Sequence, residues 1–267
     1  MLRDITIGQY YLADSPIHKM DPRFKLLATV VYIVILFLIN DLLTYALAIA
    51  AIGTVMALSK VPMKFMFKGV RGIVVIIVIT ALINMFATRG ETVYFQIGIF
   101  KLTKEGIIFA ARMVIRLVML ILASSVLTLT TTPIQLTDAI EYILKPFRKI
   151  GVPAHEIAMM MTIALRFIPT LIDETDKIIK AQTARGADFD TGGLLKKAKS
   201  LIPILVPLFV SAFRRADELA MAMEARCYRG GDNRTRMNEM AFGKYDGIGA
   251  VCTIIFAAVM ILLIFVI

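Results

Sequence analysis

Two arginines stand out for what their side chains and surroundings can do. Arg185 lies in Ala184-Arg185-Gly186 and Arg226 in Ala225-Arg226-Cys227. Each closes a long stretch of helical composition that starts apolar (Ile163 to Ile172; Leu201 to Phe213) and then turns charged. Sliding one stretch onto the other by 41 residues puts Asp176 over Asp217, Ile178 over Leu219, Ala181 over Ala222 and Ala184 over Ala225. A guanidinium is a planar fork suited to carboxylates and carbonyl oxygens in a groove. Small flanking residues let a partner's backbone come close. For either arginine alone, a favourable charge and a small capping residue at a helix C-terminus explain the residues. The duplication, with an aspartate nine residues upstream of each arginine, argues for two docking tips instead.

A helix rises about 1.5 Å per residue, so each tip stands roughly 30 Å from its apolar start. Pro169, Pro203 and Pro207 fall in the apolar halves, where proline removes a hydrogen bond and bends a helix. Two kinked helices are therefore expected, with Asp188 to Lys199 as the turn between them. Ahead of them, Ile134 to Ile150 reads as an amphipathic helix ended by Gly151-Val152-Pro153. Gly230 to Asn238 reads as a polar linker.

The rest of the chain supplies a membrane anchor. Of 267 residues, 58% are hydrophobic, above the roughly half of a soluble domain, and the mean hydropathy is +0.78. Leu26 to Ile39 and Leu42 to Leu58 read as two spans joined by a tight turn at Asn40-Asp41, each near the lower limit of about 17 residues. Lys60 to Arg71 repeats basic residues among apolar ones and reads as an interfacial amphipathic piece. Gly72 to Ala87 and Gly106 to about Thr131 are further spans; Val93 to Leu102, between them, alternates like a short hairpin. Gly247 to Ile267 is a last, uncharged span. Asp21 before Pro22 fits an N-cap followed by proline at the first helical position.

The fold expected is thus an all-α integral membrane protein of about five transmembrane helices, with a cytosolic helical region inserted between spans four and five. Its segments are an N-terminal cytosolic lead-in (1–25), four transmembrane helices (26–131), a cytosolic coupling-helix region (132–238) and a C-terminal transmembrane helix (239–267). Net charge is +10, and its placement explains it without nucleic acid. Lys and Arg number four before the first span, none in the first loop, four in the second, three in the third and seventeen from Pro133 to Asp246. The positive-inside rule then puts the N-terminus inside and the C-terminus outside. Met1 to Lys25 has no apolar core, so no cleavable signal peptide is expected.

Nothing in the residues points to catalysis or to a bound cofactor. Two cysteines and two histidines, all isolated, suggest neither a disulfide framework nor a metal site. The chain has no Gly-x-x-x-x-Gly-Lys-Ser/Thr loop, no Gly-x-Ser-x-Gly and no His-Glu-x-x-His. A twofold ATPase dimer would suit two arginine tips and would bring the missing P-loop. Arg112 and Arg116, four apart on one face of the fourth span, read as a polar contact with a neighbouring helix or as arginines snorkelling to the surface; snorkelling is the expectation. A stand-alone secondary transporter of a small solute is the alternative, but it needs intramembrane charge or broken spans near the midplane, and only these arginines offer that.

The lead-in Asp14-Ser15-Pro16-Ile17-His18-Lys19-Met20-Asp21-Pro22-Arg23-Phe24-Lys25-Leu26, together with the two Ala-Arg-small ends, resembles the T component of energy-coupling factor (ECF) transporters over essentially the whole chain. The resemblance implies a non-enzymatic scaffold in the plasma membrane of a prokaryote, working in vitamin or micronutrient uptake. Its implied partners are two ABC-type ATPase subunits, which bind the ATP and Mg, and a small membrane-embedded substrate-binding S component. On this resemblance Ala184, Arg185 and Gly186 dock in one ATPase groove, and Ala225, Arg226 and Cys227 in the other. Cys227 departs from the glycine of the first motif but is still small. The apolar surface around Pro169, Pro203, Leu205, Pro207 and Leu208 is expected to face the S component. Length and lead-in look more like the shared-module type than the dedicated cobalt or nickel type.

Overall fold

The structure is a computed structural model that describes residues 10–88, 93–97, 100–187, 189, 193–231 and 241–266. Nine helices are described: α1 Pro16–Lys19, α2 Pro22–Leu38, α3 Leu42–Ser59, α4 Met63–Ala87, α5 Lys104–Thr130, α6 Pro133–Leu144, α7 Ala154–Ala184, α8 Leu194–Ala225 and α9 Lys244–Val266. Strands β1 Val93–Ile97 and β2 Phe100–Thr103 form the expected antiparallel hairpin before α5. The chain divides into two compact units. One holds 8–139 and 238–267, the other 140–237.

Five helices are long and apolar enough to cross a membrane: α3, α4, α5, α7 and α9. The membership differs from expectation by one exchange. α2 has 17 residues, about the minimum for a span. α7, 31 residues long, qualifies on an apolar 18-residue stretch, although Asp173, Glu174, Asp176, Lys177 and Lys180 crowd its second half. Lys60 to Arg71 is not a separate interfacial piece. Beyond Pro62 nothing breaks the helix, and α4 runs 25 residues from Met63.

The first unit packs around Leu36, Ile39, Met66 and Met260, all fully buried. Many large apolar side chains point outward, among them Val75 (69% exposed) and Phe265 (86%); a surface this apolar belongs in lipid. Lipid gives no hydrogen bonds, so helix ends need partners from the protein. Tyr11 N–H donates to Leu129 O (2.9 Å) and Lys25 Nζ to Thr130 O (2.8 Å), which closes α5. Arg116 Nη2 donates to Ile39 O (2.7 Å) just beyond α2. This corrects the snorkelling expectation: Arg116 serves a neighbouring helix, and only Arg112 is exposed.

The lead-in motif is a knot of such contacts. Asp21 caps α2 by accepting from Arg23 N–H (2.8 Å), with Pro22 next, as expected. The Asp246 carboxylate accepts from Asp21 N–H (2.6 Å) and from Gly243 N–H (2.7 Å). One buried carboxylate thus joins the starts of α2 and α9. His18 Nε2 lies 2.9 Å from Tyr11 O, and its Nδ1 lies 2.7 Å from Ser15 Oγ.

In the second unit, the amphipathic run expected to reach Ile150 as one helix changes at Lys145 to a 3-10 turn, Lys145–Ile150. Pro146 has no N–H for the α-helical ladder. Gly151, at φ +92°, stops it. α8 begins at Leu194, so Lys196, Lys197 and Lys199 belong to the helix and not to the turn before it. Most of the Gly230 to Asn238 linker lies outside the described residues.

Candidate functional site

α7 and α8 run antiparallel. Arg215 Nη2 donates to Glu174 Oε2 (3.1 Å), and Gln182 Nε2 to Pro203 O (3.4 Å). As one partner number rises the other falls. The second contact has a covalent cause. Proline at 207 has no N–H to offer the carbonyl four residues back, and that carbonyl belongs to Pro203. Gln182 of the neighbouring helix takes it instead. Both helices run unbroken through their prolines, α7 through Pro169 and α8 through Pro203 and Pro207.

The 41-residue repeat acquires a geometric meaning here. Glu174 and Arg215 are equivalent positions of the repeat, and they touch each other. Equivalent residues of an antiparallel pair meet only where a local twofold axis passes between the helices. The two arginine ends are therefore thrown to opposite ends of the pair. Arg185 and Arg226 each lie 11 residues past that axis, so at about 1.5 Å of rise per residue they stand roughly 33 Å apart along the pair. The structure does not bring Arg185 and Arg226 together.

The two ends are built alike. In α7 the Gly186 N–H donates to Thr183 O (2.9 Å) and the Ala187 N–H to Gln182 O (3.0 Å). In α8 the Cys227 N–H donates to Glu224 O (2.8 Å) and the Tyr228 N–H to Met223 O (3.0 Å). Both are Schellman caps, with the arginine as C-cap and the small residue in left-handed backbone. Gly186 has φ +88° and Cys227 φ +55°. Ala184, Arg185, Gly186, Ala225, Arg226 and Cys227 are all exposed. The left-handed residue of each cap turns the chain away from the helix axis directly after the arginine. The residues near the other expected contact are placed on the outside of the pair: Pro169, Pro203, Leu205 and Pro207 are exposed and Leu208 is half-buried. Leu205 shares its face with Ile202, Val206 and Phe209, all exposed.

One cluster was not anticipated from sequence. His155 Nδ1 lies 3.1 Å from Glu141 Oε1, and Tyr228 OH lies 3.3 Å from His155 Nε2. Spacings of 14 and 73 residues carry no local signal, which is why His155 reads as isolated in the sequence. Among the described residues, no group of three or more His, Cys, Asp or Glu stands together as a metal site.

Residues 13–237 match the family model described as CbiQ, cobalt transport protein. The chain is 55% identical to the energy-coupling factor transporter transmembrane protein EcfT of Clostridium kluyveri, over 98% of this chain and 97% of that one. It is 54% identical to the protein of the same name from Ruminiclostridium cellulolyticum, over 98% of each. The Bacillus subtilis protein of that name is 45% identical, over 98% of this chain and 99% of that one.

Proposed function

The chain belongs to the CbiQ family, among the energy-coupling factor transporter transmembrane proteins, and we propose that it couples two partner ATPases to a small substrate-binding S component. The observation that carries this reading is the pair of exposed, identically capped arginine tips at opposite ends of α7 and α8. Two tips roughly 33 Å apart suit two grooves on two subunits better than one shared pocket. In this reading α2 to α5 and α9 span the plasma membrane with the N-terminus inside, and 132–238 lies on the cytosolic side. α7 is then a cytosolic coupling helix despite its length. The charges in its second half favour water, and the run of seventeen Lys and Arg from Pro133 to Asp246 favours the cytosol. ATP and Mg bind the partners, and this subunit performs no catalysis of its own. The transported vitamin or micronutrient binds the S component.

Arg185→Glu and Arg226→Glu should each weaken capture of the ATPases, and the double change should weaken it far more. Reversing a charge in a partly desolvated groove costs on the order of 2–5 kcal/mol, a loss of about thirtyfold or more in affinity. Arg185→Lys should also impair coupling, because an ammonium lacks the planar fork. Co-purification of the ATPases from membranes is the measurement. Wild-type capture by the double Glu variant would reduce the tips to helix caps and end the docking reading.

A further inference from the structure

Among the described residues, the two tips are alike in cap and differ at the residue that closes it. The repeat places Ala187 of the first end opposite Tyr228 of the second. Each closes its Schellman cap through its own N–H. Ala187 carries only a methyl group, which makes no hydrogen bond. Tyr228 reaches back with its hydroxyl to His155, at the start of α7. His155 is in turn held by Glu141 of α6. Gly231 lies over the same imidazole so closely that any Cβ there would collide with the ring. Three segments of this unit, α6, the base of α7 and the chain leaving α8, thus converge on one histidine. The ring has a job for each nitrogen. The Glu141 carboxylate takes the Nδ1–H, which leaves Nε2 to accept from the Tyr228 hydroxyl.

We propose that Glu141, His155 and Tyr228 form a brace that fixes the second arginine tip and makes Arg226 a rigid docking point. His155 is a positioning residue: it acts on docking only through Tyr228 and the cap that Tyr228 closes. The part of this proposal that concerns ATPase binding rests on the docking reading above; the part that concerns rigidity does not. A rigid tip transmits a displacement of its partner to the base of α7.

The chain itself carries a reporter, since Cys227 sits between Arg226 and Tyr228 and is exposed. With Cys252 changed to Ser, a nitroxide spin label on Cys227 of the full chain in lipid nanodiscs reports local motion. Tyr228→Phe removes one hydroxyl, and His155→Leu removes both imidazole contacts. Both should add a mobile component to the Cys227 spectrum. A label at Gly186→Cys, in a chain whose Cys227 and Cys252 are Ser, should keep its spectrum under the same changes. An unchanged Cys227 spectrum in both variants overturns the brace. Equal loosening at both labels overturns it too, since that is the mark of general misfolding.

Capture of the ATPases then tests the positioning role. In an Arg185→Glu background, where the second tip carries docking, Tyr228→Phe should lower affinity about fivefold, the scale of one hydrogen bond. In an Arg226→Glu background it should add nothing. The same loss in both backgrounds, or no loss in either, overturns the positioning role. Failure of the Arg→Glu variants themselves to weaken capture would overturn the docking reading, while the spin-label result would still decide the brace.

Discussion

Cys227 holds a backbone conformation, φ +55°, that costs an L-residue about 1–2 kcal/mol and glycine almost nothing. The equivalent position in the first motif is Gly186. Cys227→Gly should therefore raise the melting temperature of the purified chain, by an amount matching about 0.5–1 kcal/mol once glycine's extra unfolded-state entropy is set against the relief. Cys227→Val should lower it, because a β-branched side chain tolerates this conformation worst. A melting temperature unmoved by either change would mean that the second cap is not formed. His18 supports the lead-in in a different way. Burial is the main cause holding its pKa below the ordinary value, against the raising effect of the Tyr11 carbonyl. A folded-state pKa below the unfolded one means that the native state prefers the neutral ring. That contribution is complete above about pH 6.5 and is lost as pH falls through the lowered native value. Melting curves at about pH 7.5 and about pH 5 should show a larger drop for wild type than for His18→Gln, whose amide does not titrate. Equal drops would remove His18 from the account of the lead-in.

Among the elements, the α7–α8 pair and the α4–α5 pair are held by opposite means. α7 and α8 meet through self-complementary charge at the local axis, where Glu174 faces its own repeat partner, Arg215. Both side chains are partly exposed, so the pair is worth at most about 1 kcal/mol. Its value is in register. The double swap Glu174→Arg with Arg215→Glu should restore what either single change loses. α4 and α5 meet through absence of side chain. A Cβ on Gly106 would lie 2.7 Å from Met85 O, and one on Gly69 would lie 2.9 Å from Ser125 Oγ. Backbone cannot step aside for a methyl group, so Gly106→Val should destabilise by about 2 kcal/mol or more. Gly69→Ala should cost less, because a serine rotamer can turn. Thermal unfolding in detergent ranks the two. Much of this level is visible in sequence: four of the five expected spans, the Asn40-Asp41 turn, the Asp21-Pro22 start and the repeat. The carbonyl partners are not. Arg116 serves Ile39 across 77 residues and Lys25 serves Thr130 across 105, and no periodicity encodes such distances. Pro146 does not stop the chain from turning helically. It changes the type of turn, a distinction too fine for composition.

For the molecule as a whole, the repeat was legible as a duplication but not as a twofold pair, because sequence order does not say that the second copy runs backwards beside the first. Once it does, one consequence follows for both proposed partners. The tips take the two ends of the pair, and the long flank between them is left for something else. On α8 that flank carries Ile202, Leu205, Val206 and Phe209, all exposed and all apolar. An apolar flank of this extent is unfavourable in water and suits the apolar surface of a membrane-embedded partner. It is separate from either arginine, so the two functions should come apart under mutation. Leu205→Glu with Leu208→Glu should release the S component and leave the ATPases bound, since neither cap involves α8 at these positions. The charges should not unfold α8, because Leu205 is 45% exposed and Leu208 half-buried. Arg185→Glu with Arg226→Glu should do the reverse. The measurement is co-purification of both partners with each double variant from the same membranes. Loss of both partners from the leucine variant would mean that the pair had misfolded. Retention of the S component by it would mean that the flank faces lipid or another subunit.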